Sequence, residues 1–214
     1  QTIDGSITAF NDRLTVRSNI SIKMDDVINF GNYLNLSGTE IFEAKLIFDK
    51  NTSLELSSNL SNTAFSSSLE ELNKKPFEKL KTKILISDLS EPTYKIESNK
   101  FSAYIDNNNG YFSLGSSFDK DIKGHSFKDG FYIFLEIDEL KIDNLIIENQ
   151  FNDGSNLKFI KLKINQLDFF ENTYFNQFFE INLNSNETRA SFYGDNLNGT
   201  LRIDSSGFTR IDVF

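Results

Sequence analysis

The chain of 214 residues contains no cysteine, which excludes disulfides and thiolate-held metal sites. Its single histidine, His125, stands between Gly124 and Ser126 in a polar stretch. A Ser-His-Asp triad would have to use it, yet no serine lies in a nucleophile-elbow sequence, so a surface histidine is the simpler reading. No run approaches the ~18 apolar residues that a membrane-spanning helix requires. Phosphate loops, Gly-rich dinucleotide turns and Asp-x-Asp-x-Asp-Gly calcium loops are also missing, and Gly154 and Gly199 are isolated. Positive charge is scarce, with 22 Lys and Arg against 31 Asp and Glu for a net −9, which opposes binding to a long polyanion such as DNA. The densest basic cluster, Lys74-Lys75 with Lys79, Lys81 and Lys83, reads as a solvated loop and strand face. Asp119 and Asp121 are neighbours in a polar loop and read as solvated too. Asp138 and Glu139 would point to opposite faces of a strand, which counts against a cooperating acid pair. Six Asn-x-Ser/Thr sequons, beginning at Asn19, Asn35, Asn51, Asn59, Asn186 and Asn198, are expected by chance in so Asn-rich a chain. Nothing in these patterns argues for an enzyme, a metal or a cofactor.

Proline and glycine are sparse at 2 and 11, so turns fall mostly to Asn, Asp and Ser, while Phe is abundant at 22. Short alternating segments begin early, at Ile3–Ala9, Leu14–Val16 and Ile20–Ile22, with Asn11-Asp12 and Ser18-Asn19 between them. Met24–Phe30 is irregular, with room for one or two helical turns. Phe42–Phe48 is a clean strand and Leu54–Leu60 marks the next. Alternation fails from Ser61 to Lys79, where a loop or short helix is expected; Leu69–Leu80 has the one weak helical pattern. Strands resume at Leu80–Ile86, Thr93–Glu97, Phe101–Ile105 and Tyr111–Leu114, with Asn107-Asn-Asn-Gly110 as a turn whose Asn-Gly step suits positive φ. Residues 115–130 are again polar and form the better candidate for a weak break, although no true linker is present.

The stretch 131–214 carries the clearest pattern. Strands are expected at 131–138, 140–148, 157–165, 167–170, 177–184, 188–193, 197–204 and 208–213, a spacing of about 8–12 residues typical of a meander, sandwich or barrel. Leu135-Glu-Ile-Asp-Glu-Leu140 recurs as Leu162-Lys-Ile-Asn-Gln-Leu167, apolar at the first, third and sixth places. That offset of 27 residues is expected to cover two strands and two turns. The chain is all-β, expected to be one domain over 1–214. It opens in mid-pattern and stops at Ile211-Asp-Val-Phe214, as an excised segment of a longer protein would.

One face of these strands is apolar. Two arrangements satisfy that pattern: a closed sandwich core, or an open sheet whose apolar face receives a greasy ligand. Few helices are available to cover a sheet, and Phe is used lavishly at 131, 134, 159, 169, 170, 175, 178, 179 and 192. The residues expected to line such a face are Phe131, Ile133, Leu135, Ile137, Ile160, Leu162, Ile164, Phe179, Ile181 and Leu183. Burying one CH₂ is worth ~0.8 kcal/mol, so exposing an acyl chain of about sixteen carbons to water costs on the order of 10 kcal/mol. A continuous apolar gutter removes most of that barrier without a catalytic residue.

Two blocks resemble a known family. Leu54-Glu-Leu-Ser-Ser-Asn-Leu-Ser-Asn-Thr-Ala-Phe65, followed by Leu69, Lys74-Lys-Pro76 and the strand 80–86, is similar to a strand-loop-strand element of the large AsmA-like proteins of the YhdP type. Ala190-Ser-Phe-Tyr-Gly-Asp-Asn-Leu-Asn-Gly-Thr-Leu-Arg-Ile203 resembles that family's closing pattern, and the segments Leu135–Ile147 and Leu162–Phe170 fit its strands. The resemblance covers about 36–214. The chain departs from the pattern in having only Pro76 in the loop, Ser61-Asn62 in place of a second Gly, and Phe or Tyr where Trp is usual. The resemblance implies an extended, curved, mostly antiparallel sheet forming a β-taco groove with few short helices. It also implies a C-terminal periplasmic segment of a bridge-like lipid-transfer protein of Gram-negative bacteria. Such a protein is held in the inner membrane by an N-terminal helix absent from this sequence, and it conducts phospholipids toward the outer membrane with no catalytic residues. A partner at the outer membrane or in the periplasm would follow. The competing expectation is a surface-exposed β-sandwich or adhesin-like module binding a glycan or protein. A β-helical polysaccharide hydrolase is a third, and would need a carboxylate pair in a cleft.

Overall fold

A computed structural model of the chain describes residues 5–10, 13–26, 34–67, 70–127, 129–142, 156–169 and 171–214. Ile3, the Asn11-Asp12 turn, the end of the Met24–Phe30 segment, Leu69, residues 143–148 of an expected strand and Phe170 lie outside that set. The protein is all-β and forms two compact units, 1–107 and 108–214. The division falls in the Asn-rich turn, and residues 115–130 lie inside the second unit.

The first unit contains β1 (Gly5–Phe10), β2 (Arg13–Lys23), β3 (Leu34–Phe48), β4 (Thr52–Ser58), β5 (Thr63–Ser67), β6 (Thr82–Ser87), β7 (Thr93–Ser98) and β8 (Phe101–Asp106). They form an open antiparallel sheet in the order β1-β2-β3-β4-β6-β7-β8, with β5 paired to the first part of β3. Directly paired residues lie on the same side of a sheet. The register therefore assembles Ile7, Val16, Leu46, Leu54, Ile86, Tyr94 and Ile105 into one row across seven strands. Between these positions the opposite face is mostly polar, with Ile47 and Leu85 among its residues, and there Glu55 sits 3.7 Å from Lys45 and 3.3 Å from Lys83.

β3 is twice the length expected, because Gly38 lets one strand serve two pairings. Its φ of +102° is available to glycine, and a Cβ there would collide with the Asn62 carbonyl. The segment expected as a loop holds β5, which hides from a periodicity test because its five residues, Thr-Ala-Phe-Ser-Ser, include one large apolar side chain. Phe65 joins Met24, Leu36, Leu60 and Leu80 in a cap over Phe42 and Leu56, the buried core of this unit. The expected helical pattern at 69–80 yields a single 3₁₀ turn at Glu70–Leu72.

Lys74 corrects another expectation, since it is 3% exposed and not solvated. Its Nζ donates to the carbonyls of Thr63 at 2.5 Å and Lys75 at 3.2 Å and lies over the Phe65 ring. Burial pushes its ammonium below the ordinary lysine value. The core carries the unit's stability: Phe42→Ala is expected to cost about 3–5 kcal/mol. Urea unfolding followed by circular dichroism measures that loss, and a cost below about 1 kcal/mol would show that the cap is not the core.

The second unit contains β9 (Asn109–Leu114), α1 (Asp119–Gly124), β10 (Phe131–Ile142), β11 (Leu157–Phe169), β12 (Asn172–Leu183), β13 (Glu187–Tyr193), β14 (Gly199–Asp204) and β15 (Thr209–Val213). Its strands lie in chain order, and from β11 onward each neighbouring pair is antiparallel. β10 departs from a meander: it pairs in parallel with both β9 and β11. The 27-residue repeat is therefore one strand and one crossover, not two strands and two turns. Leu135 pairs with Leu162, Ile137 with Ile164 and Leu140 with Leu167, so the two hexamers lie side by side. A parallel return needs a connection of about a dozen residues or more, and the polar stretch at 115–130, which holds α1, supplies one between β9 and β10. The strands expected at 131–138 and 140–148 are continuous through Ile142, and those at 157–165 and 167–170 are continuous through Phe169.

Candidate functional site

The alternation within each strand and the register between strands place apolar side chains of the second unit in transverse rows. One row runs Phe112, Ile133, Ile160, Ile181, Ala190, Leu201, Ile211. The next runs Leu114, Leu135, Leu162, Phe179, Phe192, Gly199, Val213. At ~4.8 Å per strand, seven strands make each row about 29 Å long. Glycine is required at Gly199 because a Cβ would collide with the Asp212 carbonyl oxygen and stand 2.5 Å from the Phe192 ring.

All ten residues expected from sequence fall on this face. Ile133, Leu135, Ile160, Leu162, Phe179 and Ile181 form its centre in two adjacent rows and are half-buried. Phe131, also half-buried, pairs with Gly110 and Leu157 at one margin. Ile137, Ile164 and Leu183 are 5%, 1% and 8% exposed, so they pack against neighbours and leave little surface for a ligand. Sequence reasoning missed Phe112, Leu114, Ala190, Phe192, Leu201, Ile211 and Val213. The alternation of β13 and β14 could have found three of these; joining them to the rows required the register. It also missed Gln177, which pairs with Ile164, is fully buried on the same face, and donates to the Phe175 carbonyl while its Oε1 has no partner.

The reverse face is aromatic and charged. Phe118 and Ile122, with Phe127 from the following loop, pack on Tyr132, Phe134 and Phe159, forming the buried cluster of this unit. That cluster includes none of the aliphatic rows. Two lysines anchor the cap to the sheet. Lys161 lies 2.8 Å from Asp121 of α1 and 2.9 Å from Glu180 of β12. Burial alone lowers the Lys161 ammonium, but these two carboxylates outweigh it and the net shift is upward. Lys163 lies 2.7 Å from Glu136, which accepts from the Ser116 and Ser117 N–H groups. His125 is exposed at the rim, its ring 4.6 Å from that of Tyr132. Asp121, expected to be solvated, has this ion pair as its role.

Comparison with known proteins returns no match: no family, no characterised protein and no solved structure aligns with this chain.

The Glu136 clamp has a pH signature. Burial raises its carboxyl, but the hydrogen bonds from Lys163 and Ser117 prevail, and the group lies below its ordinary value of 4.5. A carboxyl lowered by folding contributes stability that is full above its unfolded value and is lost as pH falls through the folded one. Wild-type protein is therefore expected to lose more stability than Glu136→Gln as pH drops below about 4.5. Urea denaturation at stepped pH measures the difference, and parallel curves for the two proteins would refute the clamp.

Proposed function

We propose that this chain is a periplasmic segment of an AsmA-like, YhdP-type protein that conducts phospholipids between inner and outer membrane. Acyl chains lie against the aliphatic rows and headgroups stay in water. The observation that carries this proposal is the pair of adjacent rows crossing seven strands of the second unit, with the chain's own cap on the reverse face. A row of about 29 Å compares with the ~30 Å hydrocarbon thickness of a bilayer, so it offers room for acyl chains lying end to end. The compartment and an inner-membrane anchor are what the motif resemblance over residues 36–214 implies. No catalytic group is needed: the work done is the desolvation that a free lipid would otherwise face.

The test is a charge placed in the rows. Purified wild-type protein is expected to retain phospholipid on organic extraction and mass spectrometry. Leu162→Asp and Leu135→Asp should lose that lipid, abolish transfer between vesicles, and keep native circular dichroism. Wild-type protein without lipid, or folded variants that transfer it as well as wild type, would overturn the proposal.

A further inference from the structure

On the reverse face of the second unit, the cap leaves a cleft of about 420 Å³, within the range of small-molecule sites. Independently of the lipid proposal, we infer that this cleft binds a neutral hexopyranose ring. The Phe159 ring forms its apolar wall, 6.1 Å from both Tyr132 and Phe134, which hold it in place. Asp121, Asp129, Lys158 and Lys161 balance one another in charge around that wall. Three of these four are held by partners. Lys161 is held between Asp121 and Glu180, and Asp129 accepts from the Tyr132 hydroxyl at 2.6 Å. Lys158 stands at the bulge where β11 begins, close enough to Asp129 for attraction.

An anion would have to compete with the two carboxylates that hold Lys161 and would meet Asp129 near Lys158, and a cation would meet carboxylates already engaged. The remaining polar groups are the exposed His125 ring and the exposed side-chain amides of Asn182 and Asn184, the amides each able to donate and to accept. A charge-balanced cleft with one ring face and two amides fits a molecule with an apolar C–H face and hydroxyls at its edge. A pyranose has that construction. Burial and the Asp129 hydrogen bond push the Tyr132 phenol up to about 12, so it stays neutral at physiological pH with its one hydrogen given to Asp129.

Saturation-transfer NMR on the whole chain, with the methyl glycosides of glucose, galactose and mannose as probes, tests the inference. Saturation transfer to at least one glycoside is expected. The double variant Asn182→Ala/Asn184→Ala, at two exposed positions, should weaken it about tenfold with the melting temperature unchanged. Leu162→Asp, on the other face, should leave it unaltered, which separates this site from the lipid rows. No transfer to any glycoside at tens of millimolar, undiminished binding in the double variant, or displacement by inorganic phosphate or adenosine would overturn it.

Discussion

Strand register is the constraint on which everything else in the second unit depends. Alternation alone gives each strand two faces; only pairing in register turns those faces into rows. The parallel pairing of β10 with β11 does this most economically, because a sequence that repeats after 27 positions is laid beside itself at that same offset. A slip of one residue would turn Leu162 and Ile164 to the charged side and set Lys161 and Lys163 among the aliphatics. Two lysines without carboxylates and a broken apolar row would together cost far more than any single contact contributes.

The two units use their amphipathic sheets differently. In the first, Met24, Leu36, Leu60, Phe65 and Leu80 close over part of the aliphatic face, and the ladder opposite it is polar. In the second, the cap sits on the other side, where rings from α1 and its loop meet rings from β10 and β11. Aromatic residues thus fall into two groups. Phe118, Phe127, Tyr132, Phe134 and Phe159 build a core, while Phe112, Phe179 and Phe192 stand among aliphatics in the rows. Lys161 and Lys163 serve the cap, since each bridges its strand to a neighbour and to the 116–121 segment.

This division gives one thin sheet two kinds of surface. The aliphatic rows are long and carry no hydrogen-bonding side chain, and the same face bears the buried Gln177 together with Thr188 and Thr209, with Glu139 and Gln166 beyond Ile137 and Ile164. The cleft beneath the cap is short, polar and charge-balanced. Surfaces so different in chemistry suit ligands that do not compete, a lipid tail on one and a sugar ring on the other.

The all-β class, the apolar face and the ten residues placed on it were legible in the sequence because side chains alternate with a period of two wherever a strand has one dry side. β5 was not legible, being too short and polar to show a period, and neither was the burial of Lys74, whose partners are backbone carbonyls that any sequence would supply. The direction of β10 was likewise hidden: a 27-residue offset fits a meander or a crossover equally well, and pairing energy between distant strands decides which. Sequence alone determined which side chains share a face; tertiary structure decided which face the chain covers itself. That choice rests on long-range contacts, such as Lys161 with Asp121, that leave no local period behind.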